Sequence, residues 1–168
     1  MLWIKGFPLG PSANELYEPN VRRYRNAKGK VSVSVSGYRR SKKLDDYHKR
    51  CQLFQQMNSN FIKSVSENCK QWINEGHVLR VDTYHVFHVE RVWTKAGKPQ
   101  VIDANNRVKA CLDAIATLLG IDDRYFFDGD CGKVTCNQKD SECAIIKISP
   151  MRPMTIETLN KMIEETSL

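Results

Sequence analysis

Residues 101–130, VIDANNRVKACLDAIATLLGIDDRYFFDGD, decide how the rest of the chain is read. A polar cluster from Asp103 to Asn106 opens an apolar-periodic run, and Gly120 closes it. At 3.6 residues per turn, Val108, Cys111, Leu112, Ile115, Leu118 and Leu119 fall within about 120° of one another. Asn106, Lys109 and Asp113 fall on the other side. The spacing predicts an amphipathic helix whose outer face carries an amide, an ammonium and a carboxylate, with Asp122–Asp123 just beyond its end. Hard divalent cations take oxygen ligands, and Mg²⁺ typically uses one or two protein carboxylates plus water and phosphate oxygens. Each residue also has a plain structural role. Asp103 can cap the helix, Gly120 can end it, and Asp122–Asp123 can form a turn. Lys109–Asp113 can be an i,i+4 surface pair worth about 0.3 kcal/mol.

Taken together, Asp103-Ala-Asn-Asn106-x-x-Lys109-x-x-x-Asp113-Ala followed by Asp122-Asp123 resembles the signature of the RusA-type Holliday-junction resolvases. These are small, metal-dependent, dimeric endodeoxyribonucleases of bacteria and their phages. Gly6-Phe7-Pro8-x-x-Pro11-Ser12-x-Asn14-x-x-Tyr17 resembles the N-terminal strand and Pro-Ser-x-Asn loop of that family. The resemblance implies a single α+β domain over residues 1–168. A small mixed or antiparallel sheet would be packed by a long helix and a shorter motif-bearing helix. It also implies Mg²⁺ or Mn²⁺ held by Asp103, Asn105, Asp122, Asp123 and Asp113, with Asp103, Lys109 and Asp123 catalytic. The partners would be four-way junction DNA and a second copy of the chain, in recombination and repair. Asn105 stands where the family prototype has an aspartate; its amide oxygen can ligate a hard cation but brings no negative charge.

The charge distribution points the same way. The net charge is +7. Residues 1–50 hold twelve Lys/Arg against four Asp/Glu, or +8, and the remaining residues hold fourteen against fifteen, or −1. Such asymmetry fits a polyanionic partner, nucleic acid first and an anionic membrane surface second. Candidate DNA contacts are Asn14, Arg22, Arg23, Arg25, Lys28, Lys30, Arg39 and Arg40 in the basic segment 8–43, Lys95 and Lys98 in the loop before the motif, and Asn106 and Arg107 within it. No stretch has the length of a membrane span, and the N-terminus lacks the pattern of a secretory signal, so a cytoplasmic protein is expected. The six cysteines have irregular spacings that fit structural thiols better than zinc or disulfides.

Elsewhere the periodicity predicts a first strand over 2–6, a loop over 8–20, a basic hairpin through 22–35 and one long helix over 41–74. It then gives a long strand or a bent pair from Val78 to Trp93, a closing hairpin of 133–137 with 143–149, and a last short helix over 155–166. Leu79, Val81, Thr83, His85, Phe87 and Val89 would share one face and Arg80, Asp82, Tyr84, His88 and Glu90 the other. Two other functions fit the same features: a non-catalytic DNA-binding protein of this fold, to which Asn105 lends weight, and a binder of structured RNA using the basic arm.

Overall fold

The computed structural model describes residues 1–25, 31–100 and 104–166. The chain forms a mixed α+β fold in two layers. The strands are β1 (Leu2–Phe7), β2 (Tyr17–Arg25), β3 (Val31–Arg40), β4 (Val78–His88), β5 (Phe126–Asp128), β6 (Cys131–Cys136) and β7 (Cys143–Met151). The helices are α1 (Lys42–Met57), α2 (Ser59–Asn74), the single turn α3 (Val89–Val92), α4 (Asn105–Leu119) and α5 (Ile156–Thr166).

β4 is the centre of the main sheet, which runs β1-β7-β4-β5, with β6 also on β4. β7 lies antiparallel between β1 and β4, while β5 and β6 follow each other in parallel along the other edge of β4. The two arms expected to close as a hairpin are therefore separated: β4 stands between β6 and β7. Both arms carry period-2 apolar patterns, and pattern alone does not choose the neighbour.

The expected alternation holds along β4 only as far as His88, where the helical turn α3 takes over Val89 and Glu90. Both faces are covered, since Asp82 and His88 are buried as well as Leu79, Val81 and His85. On the helical side α1, α2 and α4 cover Leu79, Val81, Ile146 and Ile148, and Ile115 of α4 reaches into the same cluster. Leu79, Ile115, Ile146 and Ile148 are fully buried, each contributing about 2 kcal/mol of transfer free energy. On the other side Trp3 stacks on Tyr84 with ring centroids 6.2 Å apart.

The long helix expected over 41–74 is two helices. Asn58 leaves helical geometry at φ −121°, ψ 26°, and its side-chain amide donates to the Phe54 carbonyl at 2.8 Å. That bond satisfies an end carbonyl of α1, so the apolar stripe continues while the axis is interrupted. Ser41 caps α1 by accepting from the Leu44 N–H at 3.1 Å. Instead of a loop through residue 20, a 3-10 turn (Ala13–Glu15) leads into β2 at Tyr17.

β2 and β3 form a separate two-stranded sheet. Val31, Val33 and Val35 are more than half exposed on it, and so is Tyr38. A two-stranded ribbon of this kind is marginal alone in water. Among the described residues no helix is long and apolar enough to cross a membrane.

Candidate functional site

α4 begins at Asn105, with Ala104 rather than an acid at its cap position and no side-chain cap bond there. It ends at Gly120 in the left-handed region (φ 58°), as expected, and Ser66 donates to the Leu119 carbonyl at 2.6 Å. Cys111, Ile115, Leu118 and Leu119 are buried as the periodicity predicts. Ala110 and Ala114 join them, because small side chains let neighbouring segments close over α4: a Cβ placed on Gly10 would lie 3.5 Å from the Ala110 Cβ.

Asn105, Lys109, Asp113 and Thr117 are all exposed on α4. Four residues rise about 6 Å along a helix, so these side chains form a row. At its C-terminal end Asp113 joins Asp122 and Asp123 around an open groove of about 560 Å³. Lys109 reaches this end by pairing with Asp113 at 3.5 Å. Asn105, about 12 Å up the axis from Asp113, does not line the groove.

The three carboxylates are held differently. Asp122 caps the 3-10 turn Asp123–Tyr125 by accepting from the Arg124 N–H at 3.0 Å, and it pairs with the Arg124 guanidinium at 3.5 Å. Asp113 faces Lys109. The Asp123 side chain is exposed, and its carboxylate has no hydrogen-bond or ion-pair partner among the described residues. The described residues contain no group of three or more His, Cys, Asp or Glu side chains that could enclose a metal ion. Asp103 lies outside the described residues. The donor chemistry nevertheless suits Mg²⁺, which needs one or two carboxylates and completes its shell with water and phosphate oxygens.

A second acidic set, which spacing along the sequence does not reveal, centres on Asp82. The Asp82 carboxylate accepts from Arg80 at 2.8 Å, from Lys147 at 2.9 Å and from the Asp130 N–H at 3.0 Å. Arg80 also donates to Asp128 at 2.7 Å and to Asp130. Burial raises the Asp82 pKa, but the Asp130 N–H, Lys147 and Arg80 outweigh it and hold the carboxyl below its ordinary value. This cluster bridges the break between β5 and β6, where Gly129 runs so close that a Cβ would lie 2.0 Å from the Val81 carbonyl oxygen.

The basic candidates separate into two groups. Arg23, Arg25 and Arg40 are exposed on the ribbon; Arg39 is exposed too but paired with Glu18 at 2.9 Å. Lys95 and Lys98 are exposed in the turn joined by the Trp93–Pro99 bridge, and Asn14 is exposed in the 3-10 turn before β2. Arg107 differs from the surface contact expected of it: it is half-buried and donates to the Gly10 carbonyl. Its position two residues past Asn105 turns it off the solvent row and towards Gly10. Lys28 and Lys30 lie outside the described residues, as do the side chains of Arg22 and Asn106.

Thr83 Oγ1, both His85 ring nitrogens and Arg107 Nε are buried polar atoms with no hydrogen-bond partner among the described residues. Burial, with the Arg107 charge adding to it, pushes His85 down to about 4, so the ring is neutral at pH 7. His85 and His88 lie on opposite faces of β4, as the alternation predicts. Cys51, Cys69 and Cys111 are buried, and none of the six cysteines forms a disulfide among the described residues. No family model matches this chain, and no curated protein matches it at a significant level.

Proposed function

We propose that the chain is a metal-dependent endonuclease of the RusA-like kind, acting as a homodimer on four-way DNA junctions. The observation that carries this reading is the groove in which Asp113, Asp122 and Asp123 meet beside Lys109. Three exposed carboxylates in one groove repel a phosphate unless a cation stands between them. A row of this composition at the edge of a basic molecule is therefore suited to a metal and a phosphodiester together.

In this reading Asp122, Asp123 and Asp113 would hold Mg²⁺ or Mn²⁺ in the groove. Asn105, about 12 Å up the axis, is too far to share that ion, and Asp103, outside the described residues, is a further ligand only as the resemblance implies. A bound divalent ion supplies a water of lowered pKa and polarises the scissile phosphate. Lys109 sits next to the groove with its ammonium exposed. On moving from Asp113 to a phosphate oxygen, it offsets charge that develops as the phosphodiester bond breaks. Asp123, with no protein partner to give up, is the carboxylate most available to a cation. The ribbon arginines Arg23, Arg25 and Arg40 lie along the phosphate backbone and orient the junction without reading its sequence. A two-fold dimer would present paired sites to a two-fold substrate.

A second reading is favoured by the bonds that already occupy the groove. With Asp122 committed to its cap and Asp113 to Lys109, the same surface suits a DNA-binding protein without cleavage. One experiment separates the two. A fixed four-way junction and a matched duplex are incubated with wild type, Asp103→Asn and Asp123→Asn, in Mg²⁺, Mn²⁺ and EDTA. Paired, symmetric, metal-dependent nicks in the junction, lost in both variants, are expected. Tight junction binding with no nicks under any metal would replace the nuclease with the binding module; indifference to junctions beside tight binding of structured RNA would remove both.

A further inference from the structure

A cavity of about 420 Å³ opens between the Leu9–Pro11 loop, α1, α3 and the first turn of α4, away from the acidic groove. Its walls carry Lys43, Arg50, Arg91 and Arg107. Three carboxylates also line it, and their charges are already used. Glu15 pairs with Lys43, which holds its carboxyl down to about 2. Glu142 pairs with Arg91 at 2.6 Å and accepts from the His88 N–H at 2.8 Å. Asp46 faces Lys49 at 3.9 Å.

Arg50 and Arg107 make no direct ion pair with a carboxylate among the described residues, although Glu15 and Glu142 lie close enough to Arg107 to act on its charge. Their guanidiniums donate to main-chain carbonyls instead, Arg50 to Leu9 at 3.2 Å and Arg107 to Gly10. Those bonds hold the loop but neutralise nothing. Arg107 and Arg91 also crowd the same ring: their guanidinium carbons lie 5.6 and 5.3 Å from the Phe87 centroid. Two like charges against one phenyl ring repel each other, and Arg107 Nε is buried with no acceptor. Glu142 and Glu15 offset part of this charge, and an anion seated between the guanidiniums would offset more of it.

We infer that this cavity is a phosphate-binding site formed by Arg50 and Arg107 with Arg91 beside them. The ligand chemistry is a tetrahedral phosphate group, either free or part of a nucleic-acid backbone. Guanidiniums suit it because their planar donor forks bond two phosphate oxygens at once. The inference stands on the cavity alone and does not depend on cleavage in the acidic groove.

The test is thermal stability and calorimetric titration of the full chain. The probes are inorganic phosphate and a single-stranded oligonucleotide, each against chloride at matched ionic strength. Wild type, Arg50→Met and Arg107→Met are compared. The expected result is stabilisation by at least one probe beyond that of chloride, with affinity falling about tenfold or more in each variant, as loss of a charge-assisted bond implies. Binding of inorganic phosphate alone identifies a free-phosphate site, and binding only of the oligonucleotide identifies a backbone phosphate. Arg107→Met also removes the Gly10 tether, so Arg50→Met, on an exposed residue, decides the matter where the former fails to fold. No stabilisation beyond chloride by either probe, or stabilisation undiminished in Arg50→Met, overturns the site.

Discussion

Asp82, Asp128 and Asp130 gather where β5 gives way to β6, while Asp113, Asp122 and Asp123 gather at the C-terminal half of α4. In the first set Asp82 is buried and bound from every side, and Asp128 and Asp130, though exposed, are tied to Arg80. Arg80 and Lys147 neutralise Asp82, and the Asp82 carboxylate accepts from the Asp130 N–H that the broken ladder leaves without a strand partner. The second set meets its cations at 3.5 Å or, for Asp123, not at all. The side chains are the same, but their environments assign them different work. A carboxylate whose lone pairs are all engaged serves the fold; one left facing solvent is available to a ligand.

The largest effect expected from this contrast is on stability. Asp82→Ala leaves Arg80 and Lys147 without their shared partner and the Asp130 N–H without an acceptor. Breaking a buried pair in this way costs roughly 3–5 kcal/mol. For a chain of this size that is a fall in Tm of about 10 °C or more by calorimetry. The pH dependence has a definite sign. Because the folded Asp82 pKa lies below its unfolded value, its stabilisation is full above about pH 4 and is lost as pH falls through the folded pKa. Wild type and Asp82→Asn therefore converge in stability in acid. A constant gap down to pH 2 would show that the cluster is not held by charge.

The opposite outcome is expected of Asp123→Asn. Its stability should change by about 0.5 kcal/mol or less, as for exposed residues without partners. Junction cleavage with Mg²⁺ should fall about 100-fold or more, on the scale seen when metal-site contacts are removed. Unfolding of this variant, or full retained cleavage, would dissolve the distinction between the two sets. Asp122→Ala lies between them: losing its cap on the Arg124 N–H costs about 1 kcal/mol, read in urea unfolding, and any loss of cleavage beyond that identifies a second role.

The division between the two sets was only half legible in the sequence. α4, its glycine stop and its outer row followed from spacing, because a 3.6-residue period fixes which side chains share a face. The α+β class followed from mixing that period with the alternation along β4. Two things were out of reach. Asp82 reads as an outward residue by alternation, and only the pairing of β5, β6 and β7 around β4 brings Lys147 and Asp130 to it. Arg50, Arg91 and Arg107 are far apart in the chain and meet only because the Leu9–Pro11 loop folds over α4. The break at Asn58 left no mark on the periodicity either, since α1 and α2 keep the same apolar stripe on both sides of it.

The smallest expected effect bears directly on what the groove is for. The Lys109–Asp113 pair is exposed, at i,i+4 spacing and 3.5 Å, so a double-mutant cycle with Lys109→Met and Asp113→Asn should give a coupling of about 0.3 kcal/mol. Mg²⁺ alone should leave that coupling nearly unchanged, because the groove's described carboxylates do not enclose an ion without a phosphate to complete its shell. Mg²⁺ added together with junction DNA should abolish it, since Asp113 then faces the cation and Lys109 the phosphate. A coupling that survives both additions would mean that Lys109 and Asp113 are a surface pair like any other. The acidic groove would then belong with Asp82 among the structural carboxylates.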